Sequence, residues 1–378
     1  MSDTQTKAPV PLSVLTGFLG AGKTTLLNTL LQDPAMEGTA VIINEFGEIG
    51  LDHLLVETAD ENVMEMSSGC LCCTIRGDLI DTMIDLMTRR DEGRVKDFDR
   101  VVIETTGLAD PAPILHTIMN HPWLLARYRL ESVITLVDAV NGEATLDAHV
   151  EAVKQVAMAD RLVLSKADLL EGLEGEEKFA SLVVRLRKLA PAARILDTLC
   201  GEATPEKLFN AGLYDPESKS PDVKRWLAEE AYGVDRNGHG HGHGHDHHHD
   251  VNRHDDHISA FCIASDLPIS APSFDLFLEL RRSYHGPNLL RVKGIVKVEE
   301  DQERPFIIHG VQHVFHPPVQ LDAWPDEDRR SRLVFITRDV QKAELEKIFA
   351  AFAERSQGAG AAFRDETLSL RSGGLLEE

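Results

Sequence analysis

The chain has 378 residues, of which 39 are basic and 62 acidic, for a formal net charge of −23. This negative surface repels nucleic-acid backbones and anionic lipids, so we expect neither nucleic acid nor a membrane as a partner. The sequence has no signal-peptide pattern and no apolar run near the ~20 residues of a membrane helix, which predicts a cytoplasmic protein. The length predicts two domains, and five cysteines in a reducing compartment argue against a disulfide framework.

A glycine-rich loop lies between the first predicted strand, residues 11–16, and a helical pattern that begins at Leu26. The loop fits the phosphate-binding spacing G-x-x-x-x-G-K-[ST]. Its amides can surround phosphate oxygens, Lys23 can reach the β- and γ-phosphates, and the Thr24 hydroxyl can coordinate Mg²⁺. The alternative is a glycine turn without a ligand, but the order strand, loop, helix favours a nucleoside triphosphate site. The predicted contacts are Gly17, Gly20, Ala21, Gly22, Lys23, Thr24 and Thr25.

Strands and helices alternate through the first half of the chain. Further strands are predicted at residues 38–44, 62–66, 98–103, 132–137, 161–164 and 193–196. Helices are predicted at residues 77–90, after Asp110, and at residues 179–189. This alternation predicts an α/β fold, the parallel sheet of a P-loop NTPase with helices on both faces. Its ligands would bind at the carboxyl ends of the strands.

The strand at residues 98–103 leads into the polar turn Glu104-Thr105-Thr106-Gly107. A carboxylate here can hold Mg²⁺ directly or through water, and the Gly107 amide can meet the γ-phosphate. The alternative is a strand end with an ordinary polar turn. No glutamine stands out as the residue that positions the hydrolytic water, so we assign Glu104 to that neighbourhood. The predicted catalytic set is Lys23, Thr24 and Glu104.

The run Ser165-Lys166-Ala167-Asp168 resembles the guanine-reading pattern N-K-x-D, with serine in place of asparagine. Asp168 can accept both hydrogen-bond donors of guanine, whereas adenine presents an acceptor there, so GTP is favoured over ATP. The stem of Lys166 can lie along the base. The serine weakens the match, because the asparagine also tethers the phosphate loop in other GTPases.

Three cysteines, Cys70, Cys72 and Cys73, lie within four residues and indicate a metal site. Zn²⁺ takes four ligands in a tetrahedron, so three thiolates leave one position for Glu48, water or a partner's thiol. Soft thiolates favour Zn²⁺, with Co²⁺ and Ni²⁺ as weaker competitors. The alternative is a redox-active or merely buried cysteine cluster.

Composition divides the chain into a P-loop domain at 1–212, a flexible linker at 213–257, an α+β domain at 258–354 and a frayed tail at 355–378. Nine of the 17 histidines lie within residues 237–257, a low-complexity tract that can bind metals weakly or act as a solvated spacer. The α+β domain is predicted to have strands at 258–263, 289–298, 306–308, 311–315 and 333–337, with helices at 273–284 and 340–352. Its period-2 pattern predicts that His309, His313 and His316 are exposed on the sheet.

The motifs GFLGAGKTT, INEFGE, CLCC, ETTGLADP and SKAD, in this order, make residues 11–199 resemble the CobW-like family of P-loop GTPases. Residues 258–352 resemble that family's C-terminal domain. The resemblance implies a GTP-hydrolysing metallochaperone in which Cys70, Cys72 and Cys73 hold the metal and Glu48 is an additional ligand. It also implies transfer of the metal to a client metalloprotein, with GTP, Mg²⁺ and Zn²⁺ as cofactors and Co²⁺ as an alternative.

We therefore expect a GTP-dependent zinc chaperone whose unstimulated turnover is about 10⁻⁴ to 10⁻² per second. One alternative is a cobalt chaperone for cobalamin biosynthesis. Another is a metal-storage or sensing module in which GTP only stabilises the fold. Neither the client nor the oligomeric state follows from the sequence.

Overall fold

The computed structural model describes residues 8–45, 63–67, 75–209, 257–285 and 288–365, and these residues form two sheets. The first sheet has seven parallel strands in the order β3-β2-β4-β1-β5-β6-β7. Their bounds are β1 Val10–Gly17, β2 Thr39–Glu45, β3 Val63–Ser67, β4 Arg100–Thr105, β5 Tyr128–Asp138, β6 Arg161–Ser165 and β7 Arg194–Asp197.

Helices cover both faces of this sheet, as a parallel sheet requires when its strands are apolar on both sides. Their bounds are α1 Lys23–Leu31, α2 Ile75–Asp91, α3 Ala112–Asn120, α4 Pro122–Arg127, α5 Gly142–Ala148, α6 Val150–Ala157, α7 Gly172–Leu189 and α8 Pro205–Leu208. On one face Leu27 of α1 packs in a cluster with Ile134 and Val163. On the other, α6 and α7 pack over Leu162 and Leu164. The predicted fold class is confirmed.

The second sheet is antiparallel, in the order β11-β10-β9-β13-β8, with β12 paired to β10. The bounds are β8 Ile258–Ser265, β9 Leu289–Val296, β10 Phe306–Val311, β11 Val314–Phe315, β12 Val319–Gln320 and β13 Ser331–Arg338, with helices α9 Ala271–His285 and α10 Lys342–Asp365. Phe277 of α9 and Phe349 of α10 meet edge to face at 5.3 Å between ring centroids, over one face of the sheet.

The opposite face of the second sheet packs directly on the first sheet and its helices. Leu290 and Ile336 join the cluster built by α6 and α7, and Val311 and Val314 join the cluster around α2 and α3. All eight residues of β9 are buried as a result. The second sheet is therefore covered on both sides, although its antiparallel strands suggested one exposed face.

This burial makes the prediction for His309 wrong. The side chain is 4% exposed, and burial, followed by the charges of Lys293 and Arg291, lowers its pKa well below the ordinary value of histidine. His313 is exposed and His316 is half-buried. The period-2 pattern identified the strand but could not reveal that a second domain covers its outer face.

Two other sequence predictions differ from the structure. Residues 122–157 contain α4, α5 and α6, for which no helix was predicted, because these helices are short and interrupted at His121 and His149. Helix α10 continues to Asp365, beyond residue 352 where the sequence predicts its end, and the predicted frayed tail at 355–378 stays a prediction. The domain limits near residues 212, 257 and 354 stay predictions. Within the described ranges, no helix is both long enough and apolar enough to cross a membrane.

Candidate functional site

The glycine-rich loop joins β1 to α1 at the carboxyl edge of the first sheet. Gly20 and Gly22 adopt left-handed backbone with φ of 74° and 93°, and Gly22 caps α1. Residues with a Cβ rarely adopt this conformation, so the glycines allow the loop to turn its amides inward. Lys23 begins the helix, and its Nζ donates to the carbonyl oxygen of Gly17 at 3.0 Å. The ammonium thus spans the mouth of the loop, where phosphates bind in P-loop proteins.

Thr24 and Glu104 lie side by side although 80 residues separate them. Thr24 Oγ1 donates to Glu104 Oε1 at 2.7 Å, and Glu104 is 5% exposed. Strand order explains the contact, because β4 is the immediate neighbour of β1, with Leu15 paired to Glu104. A hydroxyl and a carboxylate are hard oxygen ligands of the kind that Mg²⁺ prefers.

The turn after β4 approaches the glycine-rich loop closely. A Cβ on Gly107 would lie 2.6–2.7 Å from the Cδ2, Cα and N atoms of Leu19, so only glycine fits there. The hydroxyl oxygen of Thr106, in the same turn, is buried and has no hydrogen-bond partner among the described residues. A buried polar atom of this kind is costly unless a ligand or water satisfies it. These residues therefore fit a Mg²⁺–triphosphate group at this edge.

The loop after β6 is tied to the glycine-rich loop by the serine that departs from N-K-x-D. Ser165 Oγ donates to the carbonyl oxygen of Ala21 at 2.6 Å, and Ser165 is 8% exposed. The hydroxyl thus makes the tether that the sequence argument assigned to asparagine in other GTPases. Asp168 is exposed two residues after Lys166, beyond the end of the strand.

Lys166 adopts left-handed backbone, with φ of 60°, and its Nζ donates to Asp138 Oδ2 at 2.7 Å. Burial opposes ionisation of Asp138, but hydrogen bonds from Lys166 and Asn141 outweigh it and lower the pKa of the carboxyl group. Asp138 ends β5 directly beside Ser165 of β6. This ion pair holds the amine of Lys166 at the carboxyl end of β5.

A cavity of about 260 Å³ adjoins this part of the site. The glycine-rich loop at residues 18–21 forms one wall, and the carboxyl end of β5 forms another. Helices α5 and α6 close it with Asn141, Thr145 and Gln155, and Lys166 lies at its edge. The cavity therefore lies beside the loop that we assign to phosphate binding.

Glu48, Cys70, Cys72 and Cys73 lie outside the described residues, so the predicted metal site stays a prediction. Within the described residues, no group of three histidine, cysteine or acidic side chains is arranged to hold a metal ion. The strands that lead to the predicted ligands are described. β2 ends at Glu45 and β3 at Ser67, and these two residues are paired in register.

Asp138 and Gln155 are polar residues of the site that the sequence argument did not identify. Asp138 ends a strand, as Glu104 and Ser165 do, so its position at the end of an apolar run was an available signal. Gln155 is a single polar residue among Ala152, Val153 and Val156, all buried in α6. Because α6 was not predicted, that signal could not be read. Of the other predicted contacts, Thr25 is exposed on the first turn of α1.

Comparison with protein families gives two matches. Residues 11–196 match the family described as CobW/HypB/UreG, nucleotide-binding domain. Residues 258–353 match the cobalamin synthesis protein cobW C-terminal domain. Residues 197–257 lie between the two matches, and the predicted linker at 213–257 stays a prediction.

The zinc chaperone YjiA of Escherichia coli is 32% identical over 346 residues, which cover 90% of this chain and 98% of that protein. The zinc chaperone CobW of Pseudomonas aeruginosa is 31% identical over 357 residues, covering 90% and 91%. The crystal structure of Zn(II)-bound YjiA GTPase from E. coli superposes with a TM-score of 0.61 at 27% identity, covering 91% of this chain and 99% of that one. This chain belongs to the CobW/HypB/UreG family.

Proposed function

We propose that this protein is a zinc metallochaperone that hydrolyses GTP and passes zinc from its Cys70–Cys73 motif to a client protein in the cytoplasm. The observation that carries the proposal is the Thr24–Glu104 pair at the carboxyl edge of the first sheet. The strands that precede the predicted metal ligands, β2 and β3, end at the same edge. Two relatives similar over nearly their whole length are named zinc chaperones, and a similar solved structure is a zinc-bound GTPase.

The glycine-rich loop binds the triphosphate through its backbone amides, and Lys23 neutralises the β- and γ-phosphates. Thr24 and Glu104 would hold Mg²⁺, which would neutralise negative charge on the phosphate oxygens when bound. We assign Glu104 to the neighbourhood of the attacking water. Unstimulated turnover is slow, because the set Lys23, Thr24 and Glu104 includes neither an arginine nor a glutamine aimed at the phosphate.

Guanine is read by the loop after β6. The exposed carboxylate of Asp168 accepts the two guanine donors, and the stem of Lys166 supports the face of the base. Ser165 contributes indirectly to guanine recognition. Its hydrogen bond to Ala21 keeps the loop after β6 and the glycine-rich loop at a constant separation. A nucleotide that spans both loops requires that separation to be constant.

The metal is proposed to lie at the β2–β3 edge. Glu48 and Cys70 each follow a paired strand end, Glu45 and Ser67, by three residues. Three residues span at most about 10 Å, and neighbouring strands lie about 5 Å apart, so both ligands can reach one ion. The neighbour of β2 on its other side is β4, with Asn44 paired to Thr105. Glu48 and Cys70 thus follow strands β2 and β3, and Glu104, which would hold Mg²⁺, lies near the end of the adjacent strand β4.

This adjacency provides a route for coupling. Segments that contact a γ-phosphate are released after hydrolysis. Release of the residues around Glu48 or the cysteines would weaken zinc binding at the moment of transfer. Such weakening is needed, because thiolate zinc sites bind with about 10–16 kcal/mol, too tightly for prompt spontaneous release.

The decisive experiment is a zinc titration against a competing chelator, with the protein saturated by GDP or by a non-hydrolysable GTP analogue. We expect zinc affinity to be higher with the analogue. A shift of ~10⁴-fold corresponds to about 5.5 kcal/mol of differential binding. By linkage, zinc must tighten analogue binding relative to GDP by the same factor.

Lys23→Ala is the matched control, because it removes phosphate binding and leaves the metal ligands intact. In that variant the nucleotide-dependent difference should vanish while zinc binding remains. Equal zinc affinities with GDP and the analogue in the parent protein would refute the chaperone mechanism and favour a metal-storage module. A site that prefers Co²⁺ to Zn²⁺ in the same titration would instead indicate cobalt as the cargo.

A further inference from the structure

Helix α6 contacts the turn that follows Glu104 through the side chain of Gln155. Its Nε2 donates to the carbonyl oxygen of Gly107 at 3.2 Å and to that of Ala109 at 3.0 Å. Both partners are acceptors, so the amide nitrogen must face them. Gln155 is 1% exposed, and its hydrogen bonds are therefore shielded from water.

Two more contacts fix α6 relative to this turn. Lys154 Nζ forms an ion pair with Asp110 Oδ2 at 2.8 Å, and about a quarter of each side chain is exposed. Thr135 Oγ1 donates to the backbone carbonyl oxygen of Gln155 at 2.9 Å, which ties α6 to β5. The turn at residues 107–110 is thus held from the α6 side by two successive residues.

The glycine-rich loop also contacts the turn. Gly107 lies so close to Leu19 that even a Cβ would collide with the backbone of Leu19. The position of Gly107 is therefore restrained by its close contact with Leu19 and by the hydrogen bond from Gln155 to its carbonyl oxygen.

Packing alone does not account for a glutamine at this position. Its neighbours in α6, Ala152, Val153 and Val156, are apolar and buried. Oε1 of Gln155 is buried and accepts no hydrogen bond from the described residues, which is unfavourable unless water in the adjoining cavity satisfies it. An apolar side chain of equal length would fill the space without this penalty. The advantage of glutamine is its two bonds to the turn.

We propose that Gln155 is a positioning residue for nucleotide discrimination, which holds the Gly107 turn where its amide can meet the γ-phosphate. The inference rests on the proposed function, in which Gly107 contacts the γ-phosphate of GTP. GDP has no γ-phosphate, so the hydrogen bonds from Gln155 to the turn favour binding of GTP but not of GDP. A turn already held in the binding position does not lose conformational freedom when the ligand arrives.

The test is Gln155→Met in the full-length chain, which keeps the length and burial of the side chain and removes its donors. Affinities for GDP and for a non-hydrolysable GTP analogue are measured by competition against a fluorescent GDP derivative. We expect affinity for the analogue to fall about tenfold, equivalent to 1.4 kcal/mol. GDP affinity should remain that of the parent protein.

Lys154→Met removes the neighbouring, partly exposed ion pair between α6 and Asp110 of the same turn, and it decides the question if Gln155→Met does not fold. It should lower analogue affinity in the same direction by a smaller factor. Equal losses for both nucleotides, or no loss for either, would overturn the inference and reduce Gln155 to a packing residue. Retention of both nucleotides by Lys23→Ala would overturn the proposed nucleotide site itself, and this inference with it.

Discussion

Removing the carboxylate of Asp160 should destabilise the protein more than any surface substitution. Asp160 precedes β6, and its side chain is 2% exposed. It forms ion pairs with Arg291 at 2.6 Å and with Lys293, both on β9 of the second sheet. Its other oxygen, Oδ2, accepts a hydrogen bond from the backbone amide of Val133, with an N–O distance of 2.9 Å. One carboxylate therefore joins the two sheets and satisfies a backbone group of β5.

The loss of unfolding free energy in Asp160→Ala depends on whether Arg291 and Lys293 can release a proton. Asp160→Ala leaves Arg291 and Lys293 buried without their carboxylate, and breaking a buried pair in this way costs about 3–5 kcal/mol. Arginine cannot deprotonate, so it retains its full desolvation cost. Lysine can, and burial together with the charge of Arg291 already lowers the pKa of Lys293 to about 7. Loss of Asp160, whose charge raises this pKa, lowers it further.

The pH dependence tests this reasoning. Burial raises the pKa of Asp160, but Arg291 and Lys293 lower it more, so its net shift is below the ordinary value. Its stabilisation is complete above about pH 4, where the unfolded aspartate is ionised, and is lost as pH falls through the folded pKa. Lys293 acts in the same direction at higher pH: between its folded pKa of about 7 and about 10.5 the unfolded state binds the extra proton, so stability rises with pH. Asp160→Ala lowers the folded pKa of Lys293 further, so this rise is larger in the variant. The cost of Asp160→Ala should therefore be smaller at pH 9 than at pH 6.

The assay is urea unfolding followed by circular dichroism at both pH values. Asp91→Ala is the control, because the Asp91–Arg127 pair is exposed and should contribute little. The combination Asp160→Asn, Arg291→Met and Lys293→Met removes all three charges and keeps an acceptor for Val133. It should recover most of the lost stability, because apolar replacement of a buried ion cluster is often neutral. A cost for Asp160→Ala below about 1 kcal/mol, typical of surface pairs, would refute the argument.

Three further predictions concern the nucleotide site and the linker. Ser165→Ala removes the bond to Ala21, worth about 0.5–1.5 kcal/mol, and should weaken GDP and GTP binding by a similar factor in calorimetry; unchanged affinities would show that the tether is dispensable. Gly107→Ala forces a collision with Leu19 that costs about 1–3 kcal/mol, and should weaken a GTP analogue more than GDP in the same measurement; a parent-like ratio would argue against the γ-phosphate contact. Deleting residues 237–257 should lower the zinc stoichiometry measured by mass spectrometry while the tightest site remains; loss of that site would place it in the histidine tract.

Much of the nucleotide site was predictable because its parts are contiguous in sequence. Gly17 to Thr24 encode a strand end, a tight turn and a helix start within one short run, and each step follows from local backbone preferences. The Glu104 turn and the Ser165 loop were recognised in the same way, as polar residues that end apolar strands. Parallel strands bring such ends to one edge, so the sequence predicted that these motifs would meet.

The role of Ser165 was not predictable from its type. As a departure from N-K-x-D it weakened the match, yet its hydroxyl reaches Ala21 across 144 residues of sequence. Whether a short serine can make that contact depends on the separation of two loops, which the packing of β5 between β1 and β6 decides. Gln155 is a similar case, because its partners Gly107 and Ala109 belong to a turn on another strand.

The sequence by itself determined the fold class, the order of the motifs and the strand–loop–helix arrangement of the glycine-rich loop, because these depend on local periodicity and turn chemistry. Only the tertiary structure decided that Asp160 faces Arg291 and Lys293, that His309 is buried and that Gln155 holds the Gly107 turn. Such contacts join residues far apart in the chain. They depend on the order of strands in a sheet and on how two sheets pack, and no local pattern of residues records either.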